Sequence, residues 1–413
     1  MKCIGVLFSF ISMVRLGQGF VIIGKTNQHL PSTQLESTST NQPSSVIQNK
    51  AKPRTGFAQT LLDLALNSPL WKLILVPEAR KNIVKTAEAN GIRWGESYNW
   101  IKTQHGPWND DKLLTELFAV DRSYAQYPEY YTKEFHAYQE GNLSWNAAFE
   151  QELASRAVGA RNFPDYGPDG EDAFRGSFES AILSLGGTCP TGGVICDLGC
   201  GTGTSTRRLA AMFQEAGTLI GIDLSPYFIS VGKRLLQLKP KGQKDGGTWV
   251  TTIESDDRLE LRVGDAESTG LEDCSVDVVN LSLVIHELPI SSTIQVCKET
   301  LRILKPGGQL WISEMDFDSP AYAAQRENAM LFSLLRSTEP YLDEYADGCE
   351  DIRQYLVEHY ASVKITAATG RHYALVATKG MRNGNVALVD YRFDENGNYR
   401  VKDTHLKVWE SKS

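Results

Sequence analysis

Val194-Ile195-Cys196-Asp197-Leu198-Gly199-Cys200-Gly201-Thr202-Gly203 is the stretch that decides how the rest of the chain reads. An apolar run meets an acid, three alternating glycines and then a helical pattern through Arg207, Leu209, Ala210 and Phe213. That succession reads as strand, tight turn and helix start, with the helix beginning near Thr204. Glycine is needed where a backbone turns sharply or lies against a ligand, because a Cβ would collide. Such a turn is expected to present bare backbone N–H groups at a helix N-terminus, which favours a carboxylate or phosphate.

The dinucleotide fingerprint is G-x-G-x-x-G. Here the third glycine arrives one residue early and Asp197 stands just before the run. The string resembles motif I of the class I S-adenosylmethionine-dependent methyltransferases, which commonly reads D-L-G-C-G-T-G. Downstream, Thr218 to Asp223 is a second strand ending in an acid. A carboxylate there can accept the protons of both ribose hydroxyls, although NAD enzymes place an acid similarly. Ser225 and Pro226 then cap and open a helix. Leu259 to Val263 alternates like a strand and runs into Gly264-Asp265-Ala266-Glu267. The resemblance puts Asp265, with Ala266, beside the adenine. Val276 to Ser282 is an apolar fourth strand suited to burial on both faces. Leu304-Lys305-Pro306-Gly307-Gly308 before the strand Gln309 to Glu314 is a further hallmark of the superfamily, and Ala361–Ile365 with His372–Ala377 reads as a closing antiparallel pair.

The resemblance covers about residues 172–380. It implies an α/β, Rossmann-like, seven-stranded sheet in the order 3-2-1-4-5-7-6, with S-adenosylmethionine as cofactor. It assigns the cofactor to Asp197, Gly199, Gly201, Gly203, Asp223, Asp265 and Ala266, with Asp197 ordering the turn. The quinone-biosynthesis methyltransferases are a neighbouring branch by this resemblance. The front segment F-H-A-Y-x-E-G-N-L is similar to plastid methyltransferases of plants and algae.

His286 follows the fourth strand, and the carboxyl ends of such strands build the active crevice of an α/β sheet. An unperturbed histidine, with a pKa of about 6.5, suits a proton acceptor near neutrality. His286 is therefore either the general base or a residue that fixes its loop. His286-Glu287 lacks the second histidine of H-E-x-x-H, so a zinc protease is excluded.

The 413 residues are 41% hydrophobic and carry a net charge of -8, which argues against a nucleic-acid binder relying on bulk electrostatics. Seven cysteines form no C-x-x-C pair, so neither a structural zinc site nor a disulfide framework is expected. Residues 1–55 read as a targeting leader. Lys2 precedes an apolar core from Cys3 to Val14, and a hydroxyl-rich stretch follows whose one acid is Glu36. The pattern resembles the bipartite plastid leaders of algae; a secreted protein with a polar linker is the alternative. No later segment is long enough to cross a membrane, though Leu70 to Val76 is apolar enough for peripheral membrane contact or for packing.

Residues 56–171 read as a helical cap. Aromatics crowd around one histidine between Tyr127 and Tyr138. Pieces before motif I often shape the acceptor pocket in the family, which makes Tyr130, Tyr131, His136 and Tyr138 candidate acceptor contacts. Trp145, Phe149, Leu153 and Val158 fall on one helical stripe. Residues 381–413 read as a small C-terminal hairpin turning at Asp394 to Asn398, where Asn-Gly is the signal.

The function expected is methyl transfer to a small-molecule acceptor, aromatic or prenylated, in the plastid. The alternatives are a non-catalytic S-adenosylmethionine-binding factor and an NAD(P)-dependent oxidoreductase, which the glycine spacing opposes.

Overall fold

Short apolar runs, most of them buried on both faces, place five parallel strands side by side. The computed structural model describes residues 76–112, 114, 127–135, 138, 140–238, 256–327, 332, 336, 338–380 and 386–401. β1 (Val194–Leu198) lies between β2 (Thr218–Asp223) and β4 (Val276–Ser282), parallel to both. β3 (Leu259–Val263) continues the sheet outside β2, and β5 (Leu304–Met315) does so outside β4. β7 (His372–Thr378) runs antiparallel between β5 and β6 (Ser362–Ala367). The expected order is present, with one addition. β8 (Leu388–Asp390) pairs in parallel with β6, giving eight strands, 3-2-1-4-5-7-6-8, where seven were expected.

The cap contributes α1 (Val76–Ala89), α2 (Trp94–Thr103) and α3 (Trp145–Asn162). The expected stripe on α3 holds: Phe149 and Leu153 are buried and Trp145 and Val158 half-buried. Residues 1–75, with the leader and the first apolar stretch, lie outside the described residues, as does the polar insertion at 239–255. Residues 52–413 form one compact unit.

The strand pleat sends alternate residues to opposite faces. Ile195, Leu219, Val278 and Trp311 meet Phe174, Phe178 and Ile182 of α4 (Gly170–Ser184) and Leu209 of α5 (Thr204–Met212). Near the far edge of β2, α6 (Pro226–Leu236) starts on Ser225, whose Oγ accepts from Phe228 N as expected. Its Phe228, Val231 and Leu235 pack on Ala147, Ala148 and Phe149 of α3, which seats the cap beside the glycine turn. The opposite sheet face carries Cys196, Leu198, Ile220 and Ile222. They share a core with α7 (Ile290–Ile303), Tyr322 of α8 (Pro320–Glu327) and Tyr345, Ile352 and Leu356 of α9 (Leu342–His359). Each such buried side chain stabilises the fold by roughly 1.5–3 kcal/mol. α3 and α4 cross closely across the expected 171/172 boundary: a Cβ on Gly159 would lie 2.2 Å from Glu171 Cα.

The tail is only partly the expected hairpin. Its turn is real, with Phe393 and Tyr399 bridging antiparallel around Asp394–Asn398. Its arms, however, join the sheet: Leu388–Asp390 pairs with β6, and Val401 bridges Ala367. The physical reason is that β6 would otherwise leave a row of unpaired backbone groups. Arg392 fixes the arrangement, buried and paired with Asp316 and Asp318 at 2.9 Å each and with Asp390 at 2.7 Å.

Among the described residues, no helix is long and apolar enough to cross a membrane, and no cluster of His, Cys, Asp and Glu is placed to hold a metal ion.

Candidate functional site

The carboxyl ends of β1, β2, β4 and β5 bring the candidate residues together. Asp197 is buried near the end of β1 and accepts three hydrogen bonds: from Ser205 Oγ at 2.6 Å, Thr206 Oγ1 at 2.7 Å and Asn280 Nδ2 at 2.7 Å. It therefore staples the first turn of α5 to β1 and β4. Burial pushes its carboxyl up despite these donors.

Asp223, at the end of β2, spans the turn. Its Oδ2 accepts from Gly201 N at 2.9 Å and its Oδ1 from Ser225 N at 2.8 Å. Burial raises its pKa to about 6, opposed by those backbone donors.

The glycine turn corrects one expectation. Its amides are not bare: Gly199 N and Cys200 N donate to Ile222 O, Gly201 N to Asp223, Thr202 N to Gln151 Oε1 and Gly203 N to Cys200 O. β2 and α3 supply most of these acceptors, so the turn is tied to its neighbours. Glycine is required at 199 because φ is +71° and a Cβ would lie 2.6 Å from Val284 Cγ2. At Gly201, φ is +57° and a Cβ would meet the Gln151 amide. The atoms nearest these missing Cβ positions belong to the protein itself. Gly203 adopts the left-handed conformation as the N-cap of α5, and no side chain caps that helix. Thr204 Oγ1 is buried there without a protein partner. An uncapped helix start, an orphaned hydroxyl and a buried ribose-type acid fit a nucleoside cofactor with an anionic amino-acid end.

Asp265 follows β3, half-buried, and accepts from Glu267 N at 2.8 Å, making the turn that presents Ala266. Burial raises its carboxyl.

His286 lies in a short 3-10 turn, Ile285–Glu287, reached through Leu283 at φ +59°. Non-glycine residues at positive φ are uncommon and cluster at functional sites. Its Nδ1 is 2.8 Å from Oε1 of Glu314, which is fully buried. Burial works against charge on the imidazole, yet Glu314 outweighs it and raises His286 to about 10. The ordinary pKa assumed from the sequence does not hold. The Glu314 carboxyl beside it favours the protonated imidazole. Nearby His372 is pushed the other way, to about 3, by burial and by Arg371.

The cap residues are divided by the structure. Tyr131 OH donates to Asp223 Oδ1 at 3.3 Å and Tyr130 OH to Glu267 Oε1 at 2.8 Å. Both phenols, expected as acceptor contacts, thus bond to acids that follow β3 and end β2. Tyr138 is drawn instead into a cluster with Arg80 and Glu150, where two charges and one phenol satisfy each other. His136 lies outside the described residues. Tyr322, Phe332 and Tyr345 are buried in the core.

Sequence reasoning missed Glu314, Glu267 and Gln151. Glu314 carried the same signal as Asp223, an acid closing an apolar strand. Gln151, which bonds to Thr202 through both backbone and hydroxyl, carried none: a polar residue inside a helix reads as solvent-facing.

Comparison with known proteins comes to the same place. Residues 196–312 match the family model described as a methyltransferase domain. An uncharacterized 37.1 kDa transposon protein of Streptomyces fradiae is 31% identical over 148 residues, 36% of this chain and 37% of that one. A demethylmenaquinone methyltransferase of Lactococcus lactis is 26% identical over 204 residues, 49% of this chain and 73% of that one. The crystal structure of a SAM-dependent methyltransferase from Aquifex aeolicus aligns at 17% identity with a TM-score of 0.35, over 49% of this chain and 90% of that one. The chain thus spans little more than a third of the first relative and about three quarters of the second. Together, the motif, the strand order and the family match make residues 196–312 a methyltransferase domain of the class I type, with S-adenosylmethionine as its cofactor.

Proposed function

We propose that the whole chain transfers a methyl group from S-adenosylmethionine to a small aromatic or prenylated acceptor. The observation that carries this is Asp223, a buried carboxylate at the end of β2 tied to both the glycine turn and the start of α6. The cofactor supplies a methyl group already activated on a sulfonium, so the protein's task is mainly alignment. Asp223 would hold the ribose, the Asp265–Ala266 turn the adenine, and the uncapped start of α5 the amino-acid end, with Asp197 keeping that helix in place.

His286 takes a different part from a resting general base. With Nδ1 held by Glu314, an imidazolium would offer its Nε2 proton to an acceptor oxygen. This favours an acceptor that arrives already ionised, as a phenolate or quinolate does, because an imidazolium has no site left to take up a hydroxyl proton. The leader composition supports a plastid location, which a fluorescent fusion of residues 1–55 would test.

The deciding experiment incubates the purified chain with methyl-labelled S-adenosylmethionine and an extract of photosynthetic cells. Label is expected in a small organic product, which mass spectrometry would name. Tight S-adenosylhomocysteine binding with no labelled product in any extract would favour a non-catalytic cofactor-binding factor.

A further inference from the structure

We infer that Tyr131 is an intramolecular occupant of the ribose subsite: its phenol holds a position on Asp223 that a ribose diol needs, so the nucleoside binds only as the 129–132 turn yields. The inference rests on the reading of Asp223 as the ribose acid.

The argument is a count of acceptor positions. An ionised carboxylate offers about four lone-pair directions. On Asp223, Ser225 N takes one at 2.8 Å, Gly201 N a second at 2.9 Å and Tyr131 OH a third at 3.3 Å. The two backbone donors are fixed, one by the glycine turn and the other by the start of α6. The phenol is the one donor supplied by a separate segment, and its bond is the longest of the three. A ribose presents two neighbouring hydroxyls. With Tyr131 in place, one of them finds an acceptor on Asp223; with Tyr131 displaced, both do.

The segment that carries Tyr131 has a firm root and a light tip. At the root, Phe135 is buried and pairs with Tyr138, and Gly141 turns the chain at φ +54°, where a Cβ would lie 2.5 Å from Lys133 O. At the tip, Glu129–Thr132 is a short 3-10 turn with no side-chain cap and no fully buried residue. It is held by Tyr131 on Asp223, by Tyr130 on Glu267 at 2.8 Å and by ring contacts: Tyr127 stacks on Tyr131 at 5.9 Å, and Tyr130 meets Tyr341 edge-on at 6.3 Å. Glu267 adjoins the Asp265–Ala266 turn, so the second phenol guards the adenine side as the first guards the ribose side.

A site whose competent state is only fractionally populated shows an affinity reduced by that fraction. The Tyr131 bond is long, at 3.3 Å, so removing it from the closed state should act at the level of an ordinary hydrogen bond and raise apparent affinity about fivefold. The test uses the full chain and S-adenosylhomocysteine, with affinity read by calorimetry and association rate by stopped-flow tryptophan fluorescence. Tyr131→Phe is expected to bind about fivefold tighter, with the gain in the association rate, and Tyr130→Phe to gain less. Unchanged or weaker binding by a folded Tyr131→Phe, with the wild type binding normally, overturns the inference and leaves the functional reading standing. No binding by either protein removes the functional reading and this inference with it. Hydrogen exchange on the wild type supplies a second readout that needs no variant. Faster exchange at 129–132 on ligand binding supports displacement, whereas protection there would make Tyr131 a clamp and overturn it.

Discussion

Asp223 is a small carboxylate asked to do two things, fold a turn and receive a ligand. Asp223→Ala should lower S-adenosylhomocysteine affinity about ten- to hundredfold, the range for hydrogen bonds to a charged group, as read by calorimetry. His286 and Glu314 make a second prediction. His286 binds its proton more tightly folded than unfolded. Its contribution to stability is therefore complete below pH of about 6.5 and is lost as the pH rises through about 10. Glu314→Gln should move the His286 resonance titration in NMR down from about 10 and flatten that alkaline loss; an unmoved titration would mean Glu314 does not set the charge. The acids at 197, 223 and 265 were legible because each closes a strand or opens a turn, where a side chain has few other reasons to be charged. The shift on His286 was not legible, because its partner lies 28 positions away and meets it only through the pairing of β4 with β5.

Elements show where pattern reading ends. Short apolar runs gave the parallel strands, since a run buried on both faces has little else it can be. The tail misled because an Asn-Gly turn signals a hairpin but says nothing about what the arms pair with. Arg392 is the hidden term: its guanidinium lies among Asp316, Asp318 and Asp390, and Tyr399 donates to Asp316 at 2.9 Å. Arg392→Met would strand the buried Asp316 carboxylate, and urea unfolding should show a loss of about 3–5 kcal/mol. The α3–α4 crossing makes a matching prediction. Gly159→Ala forces the helices apart and should cost about 1–3 kcal/mol by the same measurement, while a neutral result would show that the crossing can relax.

Across the whole molecule, cap and sheet share clusters, so ligand binding at the glycine turn should be felt globally. S-adenosylhomocysteine at a hundredfold excess over its dissociation constant should stabilise the chain by about 2.7 kcal/mol, visible as a rise in Tm by calorimetry. The layered architecture was readable from motif order alone, because strand, turn and helix alternate in the chain as they do in space. The seating of the cap was not, since it depends on Phe149 meeting Phe228 and Val231 across a loop whose path no local signal records.

The three-residue strand Leu388–Asp390 also acts as a selvedge. A brief, acid-bearing border offers a neighbouring molecule little to knit onto. Truncation before Val386 would remove it and bare the longer margin of β6, Ser362–Ala367, so a truncated preparation should turn cloudy or self-associate under conditions in which the intact chain stays clear.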